Sequence, residues 1–231
     1  MYSFCLFVII FFVYSFIGYV IEVTSVTRER KKITMSRGYM MGPYLPIFGV
    51  GSIIMISVLQ KYQGDLVALF VLSMMICSIL EYITSYLLEK FFHLRWWDYS
   101  KEKSNLNGRI CLKNSIGFGL GGMIIVEYFH PMLMSLLDLL PMITVQITGI
   151  VLFVILFLDF VLSTYMIVNL RIDVKKLKED HTDMIKQEVK KSLQRRKIFY
   201  RRILKSYPSL SKNKTFENVK ELIQKRKGVK K

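Results

Sequence analysis

The sequence lacks the short motifs with which many enzymes bind nucleotides, metals or acyl groups. It contains no G-x-x-x-x-G-K-[ST] phosphate loop, no His-Glu-x-x-His zinc motif, no G-x-S-x-G elbow and no dinucleotide fingerprint between a strand and a helix. The chain therefore cannot hydrolyse ATP as a P-loop enzyme, and any ATP-driven activity needs a second polypeptide. We expect no enzymatic activity, no metal and no other cofactor.

Cysteine is scarce, and its spacing argues against two common uses. Cys5, Cys77 and Cys111 are an odd number without zinc-like spacing, so neither a disulfide framework nor a zinc site is indicated, and buried thiols are the better interpretation. No basic residue precedes the first apolar run and no Ala-x-Ala-like site follows it. This run is therefore expected to be a retained span rather than a cleaved signal peptide.

Long apolar runs, in contrast, are abundant. A helix needs about 20 apolar residues to cross a hydrocarbon core of roughly 30 Å. The sequence predicts an all-α, multi-pass membrane bundle with five transmembrane helices at residues 2–22, 38–60, 66–89, 114–130 and 142–168. Residues 1–170 then form the membrane domain, and residues 171–231 form a tail.

Lys and Arg alternate between the segments that separate and follow these runs, with counts of 5, 1, 6, 0 and 21. Because cytoplasmic segments are rich in these residues, the amino terminus is predicted outside and the tail in the cytoplasm. The tail holds 21 basic and 7 acidic residues, so it carries +14 of the net charge of +16. We expect this basic, helix-favouring tail to bind anionic lipids. It has few aromatic residues and no recognisable module, so nucleic acid is not expected as a partner.

The second apolar run opens with residues that interrupt helices. Pro43 and Pro46 each remove a backbone donor, and Gly42 weakens helix continuity. A break or wide turn is predicted, and it should face the bundle interior, because freed backbone groups at membrane depth need protein or a water-filled cavity around them. The alternative is a loop that ends at Pro46.

Ionisable residues inside a span are costly, so they face a partner, a cavity or a pathway. Polar residues recur at every fourth position through the end of the third span and one turn beyond it, in one polar stripe on one helix face: Glu81, Ser85, Glu89 and His93. Hydrogen bonding between helices is the preferred interpretation, and a metal shared by Glu89 and His93 is the weaker one.

Two further acids, Glu22 and Asp159, lie in the first and fifth spans, with Arg37 and Arg109 as basic residues of plausible reach. Ion pairs that hold helices together are the alternative to a functional role. Gly117 and Gly121 form a G-x-x-x-G pair in the fourth span, which favours close packing of another helix.

The third span is followed by FFHLRWWDY and NLNGRICLKNS. Trp96 and Trp97 are typical of interfacial anchors at headgroup level. Asn107 and Gly108 predict a turn. Asp98, Arg109 and Asn114 add polar groups that need partners, and the loop at residues 90–113 is either a surface loop or one that folds back toward the membrane.

Four segments in the same order carry a family resemblance: YSFIGYVIEV, RGYMMGPYLPIFGVG, LEYITSYLLEKFFHLRWWDYS and NLNGRICLKNSIGFGLGG. Over residues 11–131 the chain resembles a bacterial membrane-protein family described as type IV ABC-transporter permeases. This chain has Tyr19 where a Trp is usual and Leu45 where a small residue is usual. The tail carries no resemblance.

The resemblance implies a polytopic membrane protein and a set of family-like positions: Glu22, Arg37, Gly38, Gly42, Pro43, Tyr44, Pro46, Glu81, Glu89, His93, Trp96, Trp97, Asp98, Asn107, Gly108, Arg109 and Asn114. Together with Ser85 and Asp159 they include the candidates for a polar path near the cytoplasmic half of the membrane.

The first functional hypothesis is a permease-like subunit. Five spans enclose little volume, so it would act as a homo-oligomer or with a membrane partner, and with a separate ATPase subunit. The second is a membrane-embedded enzyme acting on a lipid-linked or headgroup substrate through Glu81, Glu89, His93, Asp98 and Arg109. The third is a scaffold or regulatory subunit that presents the basic tail.

Overall fold

The computed structural model describes residues 1–31, 38–92, 95, 97–179, 184, 189, 191 and 192, and it is mostly helical. Six α-helices occur in this part of the chain: α1 (Tyr2–Arg30), α2 (Pro46–Leu59), α3 (Leu66–Phe92), α4 (Leu112–Ile124), α5 (His130–Asp138) and α6 (Met142–Glu179). A short antiparallel hairpin, β1 (Asn105–Leu106) and β2 (Ile110–Cys111), connects α3 to α4.

Four helical stretches among the described residues are long and apolar enough to cross a membrane: Tyr2–Arg28, Leu66–Phe91, Leu112–Asp138 and Met142–Asp173. Large apolar side chains remain exposed along them, including Phe157 at 56% and Leu158 at 55%. Such surfaces suit lipid rather than water. The prediction of an all-α membrane bundle is therefore confirmed, while the count of five spans and their orientation stay predictions.

The second apolar run is only partly helical. Residues 38–45 do not form a helix, and α2 begins at Pro46, where a missing N–H costs nothing because the first turn of a helix leaves its N–H groups unpaired. A 3₁₀ turn, Gln60–Tyr62, extends α2. The helix Pro46–Tyr62 is thus shorter than the predicted span 38–60, because the Gly and Pro residues prevent a helix from forming before Pro46.

The fourth apolar run continues past Pro131 instead of ending there. A π-helical turn, Ile125–Phe129, joins α4 to α5, and the N–H of His130 bonds the carbonyl of Ile125, five residues back. The next such donor would be residue 131, but proline has no N–H. The carbonyl of Val126 accepts a hydrogen bond from Gln63 Nε2 at 3.0 Å instead, so a side chain from the α2–α3 connection supplies the missing donor.

The helices pack in the spatial order α6, α1, α2, α3, α4. Small residues allow the close approaches: Gly149 of α6 lies against Cys5 of α1, and Gly18 of α1 lies under Phe48 of α2. One apolar cluster, of Ile9, Leu137 and Val145, joins α1, α5 and α6. A second joins α2, α3 and the π turn through Met55, Leu59, Leu69 and Val126.

The glycines that pack α4 are not the predicted G-x-x-x-G pair. A Cβ added at Gly117 or Gly121 would meet nothing within 4 Å, whereas one at Gly119 would meet Phe70 and one at Gly122 would meet Ser73. The prediction for Gly117 and Gly121 is wrong within this chain. The G-x-x-x-G spacing does not show which face of α4 contacts α3, and that face contains Gly119 and Gly122.

These contacts predict opposite effects for two similar substitutions. Gly122→Ala should lower the free energy of unfolding by about 1–3 kcal/mol, since overpacking forces neighbouring side chains to move. Gly117→Ala, on the open face of the same helix, should leave stability unchanged or slightly raised. Thermal unfolding in detergent measures both, and equal behaviour of the two variants would contradict the assigned packing face.

Candidate functional site

The carboxylate of Asp159 on α6 binds the non-helical segment at residues 38–45. Asp159 Oδ1 accepts from the N–H of Met41 at 2.8 Å, and Oδ2 accepts from the N–H of Gly42 at 2.6 Å and from the Tyr44 hydroxyl at 2.5 Å. Ser163, one turn further along α6, donates to Oδ1 at 2.8 Å and accepts from the Met41 N–H at 3.1 Å. We call these five residues the Asp159 cluster.

This segment lies deep along α1 rather than beyond its end. The N–H of Leu45 donates to the carbonyl of Ser15 at 2.9 Å, and Ser15 is near the middle of the candidate span Tyr2–Arg28. Met40, Tyr44 and Leu45 are buried, at 4%, 3% and 7% exposure. The break that Gly42, Pro43 and Pro46 predict is therefore present and packed inside the bundle, where α6 satisfies its freed N–H groups.

Two tyrosine side chains of the same segment contact α6 and α1. The Tyr39 hydroxyl forms a hydrogen bond with Thr164 Oγ1 of α6. The Tyr44 ring lies 5.7 Å from the ring of Phe12 on α1. The segment is thus held between α1 and α6.

A second polar cluster lies where the β-hairpin folds back along α3. Asn107 and Gly108 both have positive φ, at 54° and 67°, and form its tight turn as predicted. Trp97 Nε1 donates to the carbonyl of Arg109 at 2.8 Å, and the Tyr99 N–H donates to the carbonyl of Gly108 at 2.8 Å. These bonds aim the Arg109 side chain at the polar stripe of α3.

Arg109 is the centre of this second cluster. Its guanidinium donates to Ser85 Oγ at 3.2 Å and lies 2.6 Å from Glu89 Oε2. The same group lies 5.7 and 5.5 Å from the ring centres of Tyr82 and Tyr86. We call these residues the Arg109 cluster. Cation–π contact and charge pairing act together on a side chain that is only 11% exposed.

Glu81 forms the deep end of the polar stripe. It is 5% exposed, and its Oε1 accepts from the Tyr99 hydroxyl at 3.1 Å. Its Oε2 is buried without a hydrogen-bond partner among the described residues. Burial, followed by the negative charges of Glu81 and Glu22, raises the pKa of Tyr99, so this hydroxyl stays protonated as a donor.

The structure brings part of the predicted set together and separates the rest. Ser85 and Glu89 contact Arg109 of the hairpin, and Asn107 donates to the Tyr82 hydroxyl at 2.9 Å. Glu81 contacts Tyr99 in the loop before the hairpin. No described contact joins these residues to Asp159, which binds residues 41, 42 and 44.

Asp98 accepts from the N–H and the hydroxyl of Ser100, within the loop. Asn114 lies half-buried in the first turn of α4. Trp97 contacts the hairpin, and its role as an interfacial anchor stays a prediction. Three predicted residues lie outside the described part of the chain: Arg37, His93 and Trp96. The Glu89–His93 metal pair therefore cannot be placed, and no group of three metal-ligating side chains occurs among the described residues.

Sequence reasoning missed several members of both clusters. Ser163 follows Asp159 by four residues, and Tyr82 and Tyr86, also four residues apart, each directly follow a member of the polar stripe. A four-residue repeat beside a charged position was the available signal. Tyr99 and Arg95, which donates to Glu89 Oε1 at 3.0 Å, had no such signal because they lie in an irregular loop.

Removing the Asp159 carboxylate should release the segment that it binds. In Asp159→Ala the Met41 and Gly42 N–H groups lose an acceptor at membrane depth, and each such loss costs about 1–3 kcal/mol. We expect faster amide hydrogen exchange at residues 38–45 and a lower unfolding temperature. Asp138→Ala, at an exposed carboxylate on α5, is the control, and unchanged exchange in both variants would refute the assignment.

The two arginines that pair with Glu89 should differ in importance. Arg109→Gln removes contacts to α3 from a nearly buried side chain, so we expect a loss of about 1–3 kcal/mol. Arg95→Gln removes a partner that is 31% exposed, and this should cost less than about 1 kcal/mol. Chemical unfolding of the two variants tests the difference, and the reverse order would show that the hairpin does not depend on Arg109.

Comparison with known proteins gives one family match. The family model described as "Putative ABC-transporter type IV" matches residues 9–164, which is more than half of the chain and includes both polar clusters. No curated protein and no solved structure matches the chain. The chain is thus a multi-pass membrane protein of transporter type, and it belongs to the family described as putative ABC-transporter type IV.

Proposed function

We propose that the chain is a permease-like membrane subunit with a polar path in the half of the membrane that faces the cytoplasm. The observation that carries the proposal is the non-helical backbone of residues 38–45 at the depth of Ser15. Broken helices at membrane depth are a feature of transporter binding sites, where the interruption lines the permeation route. The family supports the same class of function.

The path runs beside this segment toward the polar stripe of α3. Ser15 and Ser52 are buried polar residues next to the segment and on α2, at 0% and 3% exposure. The Ser15 Oγ has no hydrogen-bond partner among the described residues, and the same holds for Glu81 Oε2. Buried polar atoms without partners are costly, which supports a route where water or a substrate supplies the missing hydrogen bonds.

The surroundings of the subunit follow from the same proposal. The amino terminus lies outside a bacterial cytoplasmic membrane and the basic tail lies in the cytoplasm. Few helices surround the path, so a second copy or a membrane partner completes it, and a separate ATPase subunit supplies the energy. The enzyme hypothesis gains no support from the site, because Glu89 and Arg109 bind each other and Asp98 bonds its own loop.

Cysteine labelling tests the path directly. In a background with the three native cysteines changed to serine, Ser15→Cys should react with a small, charged, water-soluble thiosulfonate, because the thiolate forms only where water reaches it. Phe16→Cys, one residue further on α1 and 43% exposed on the outer surface, should react slowly, because lipid surrounds it.

Two results would count against the proposal. Equal, slow labelling at both positions means that no aqueous route reaches Ser15. Labelling at Ser15→Cys with no ATPase among the proteins that co-purify in mild detergent would keep the path but remove the ATP-driven version. The unfolding temperature of each variant shows whether the fold is retained.

A further inference from the structure

Two basic side chains at the ends of the apolar stretches of α3 and α6 lack the acidic partners that Arg95 and Arg109 have. Arg95 and Arg109 pair with Glu89. Lys90 and Arg171 are exposed, and neither has a carboxylate within 4.0 Å among the described residues. The Lys90 amino group lies 6.0 Å from the centre of the Tyr86 ring, which leaves it open to solvent.

These two positive charges lie around the same helix end. Arg171 Nη1 donates to the carbonyl of Phe91 at 2.8 Å, and Phe91 follows Lys90 directly in the chain. A guanidinium has five N–H donors in a planar fork that matches a phosphate group. One bond to Phe91 leaves most of these donors available, and it fixes the guanidinium beside the last turn of α3.

Exposed apolar side chains lie on either side of each charge in the chain. Leu87 and Phe91 of α3 are 42% and 64% exposed, and Val168 and Ile172 of α6 are 41% and 48% exposed. Each pair is four residues apart, so its members lie one above the other on one helix face. Exposed apolar side chains beside unpaired cations match the boundary of a membrane, where acyl chains meet charged headgroups.

We propose that the last turn of α3 and the neighbouring turn of α6 around Arg171 form a binding site for an anionic phospholipid. Lys90 and Arg171 contact its phosphate, while Leu87, Phe91, Val168 and Ile172 contact its acyl chains. Charge complementarity selects this occupant, since two unpaired cations at the membrane boundary attract an anionic headgroup and a zwitterionic one far less. The site lies at the end of the apolar stretch of α6 and includes Arg171 and Ile172, the first two residues after the predicted membrane domain. It does not involve the rest of the basic tail, and it does not depend on a transport function.

Lipid retention by the full-length chain tests the site. The protein is equilibrated in mixed micelles with equal amounts of phosphatidylglycerol and phosphatidylcholine, and the lipids that stay bound are counted by native mass spectrometry. We expect preferential retention of phosphatidylglycerol. Lys90→Gln and Arg171→Gln should each weaken that preference about fivefold, because a basic residue near an anionic surface contributes about 1 kcal/mol, and Arg171→Lys should restore most of it.

Matched controls separate this site from general charge. Lys61→Gln removes a lysine that also lies over a tyrosine, 5.1 Å from the Tyr62 ring centre, but on the α2–α3 connection. It should leave the preference unchanged, and residues 173–231 are the same in all of these variants. An unchanged preference in Lys90→Gln, or an equal loss in Lys61→Gln, would overturn the proposal. Equal competition by soluble glycerol phosphate would also overturn it, because acyl contacts would then contribute nothing.

Discussion

Hydrogen bonding of the backbone inside hydrocarbon is the constraint on which this structure depends. Residues 38–45 leave helical geometry at the depth of Ser15, where no lipid can replace the lost helix bonds. Asp159 replaces them with one carboxylate, which accepts from the N–H groups of residues 41 and 42. This interaction holds α6 against residues 38–45, and it explains why a carboxylate is present in the apolar run at residues 142–168.

The polar groups of the membrane domain divide into those that bind other parts of the same chain and those that are buried without a partner. Asp159, Glu89 and Arg109 are bound by other parts of the same chain, so they stabilise the arrangement of helices and hairpin. Glu81 Oε2 and Ser15 Oγ are buried without partners in the described structure.

The sequence predicted the helical class, the interruption near Gly42 and the polar stripe of α3, because each follows from local spacing or from proline chemistry. It could not predict that Asp159 would bind residues 41 and 42. That pairing joins positions more than a hundred residues apart and depends on which helices are neighbours. The choice of Gly119 and Gly122 over Gly117 and Gly121 fails to follow from sequence for the same reason, since every alternative has similar spacing and only tertiary contacts distinguish them.

The hydrogen bond from Gln63 to the Val126 carbonyl has a consequence for motion. A second bond runs beside it, from the Gly64 N–H to Glu127 Oε2 at 2.9 Å, so the α2–α3 connection is tied to the π turn at two adjacent points. These bonds hold α2, α3 and α4 together at this end of the bundle, because separating them would leave the Val126 carbonyl unpaired. Relative movement of these helices is therefore less restrained at the opposite end of α3, where the hairpin follows.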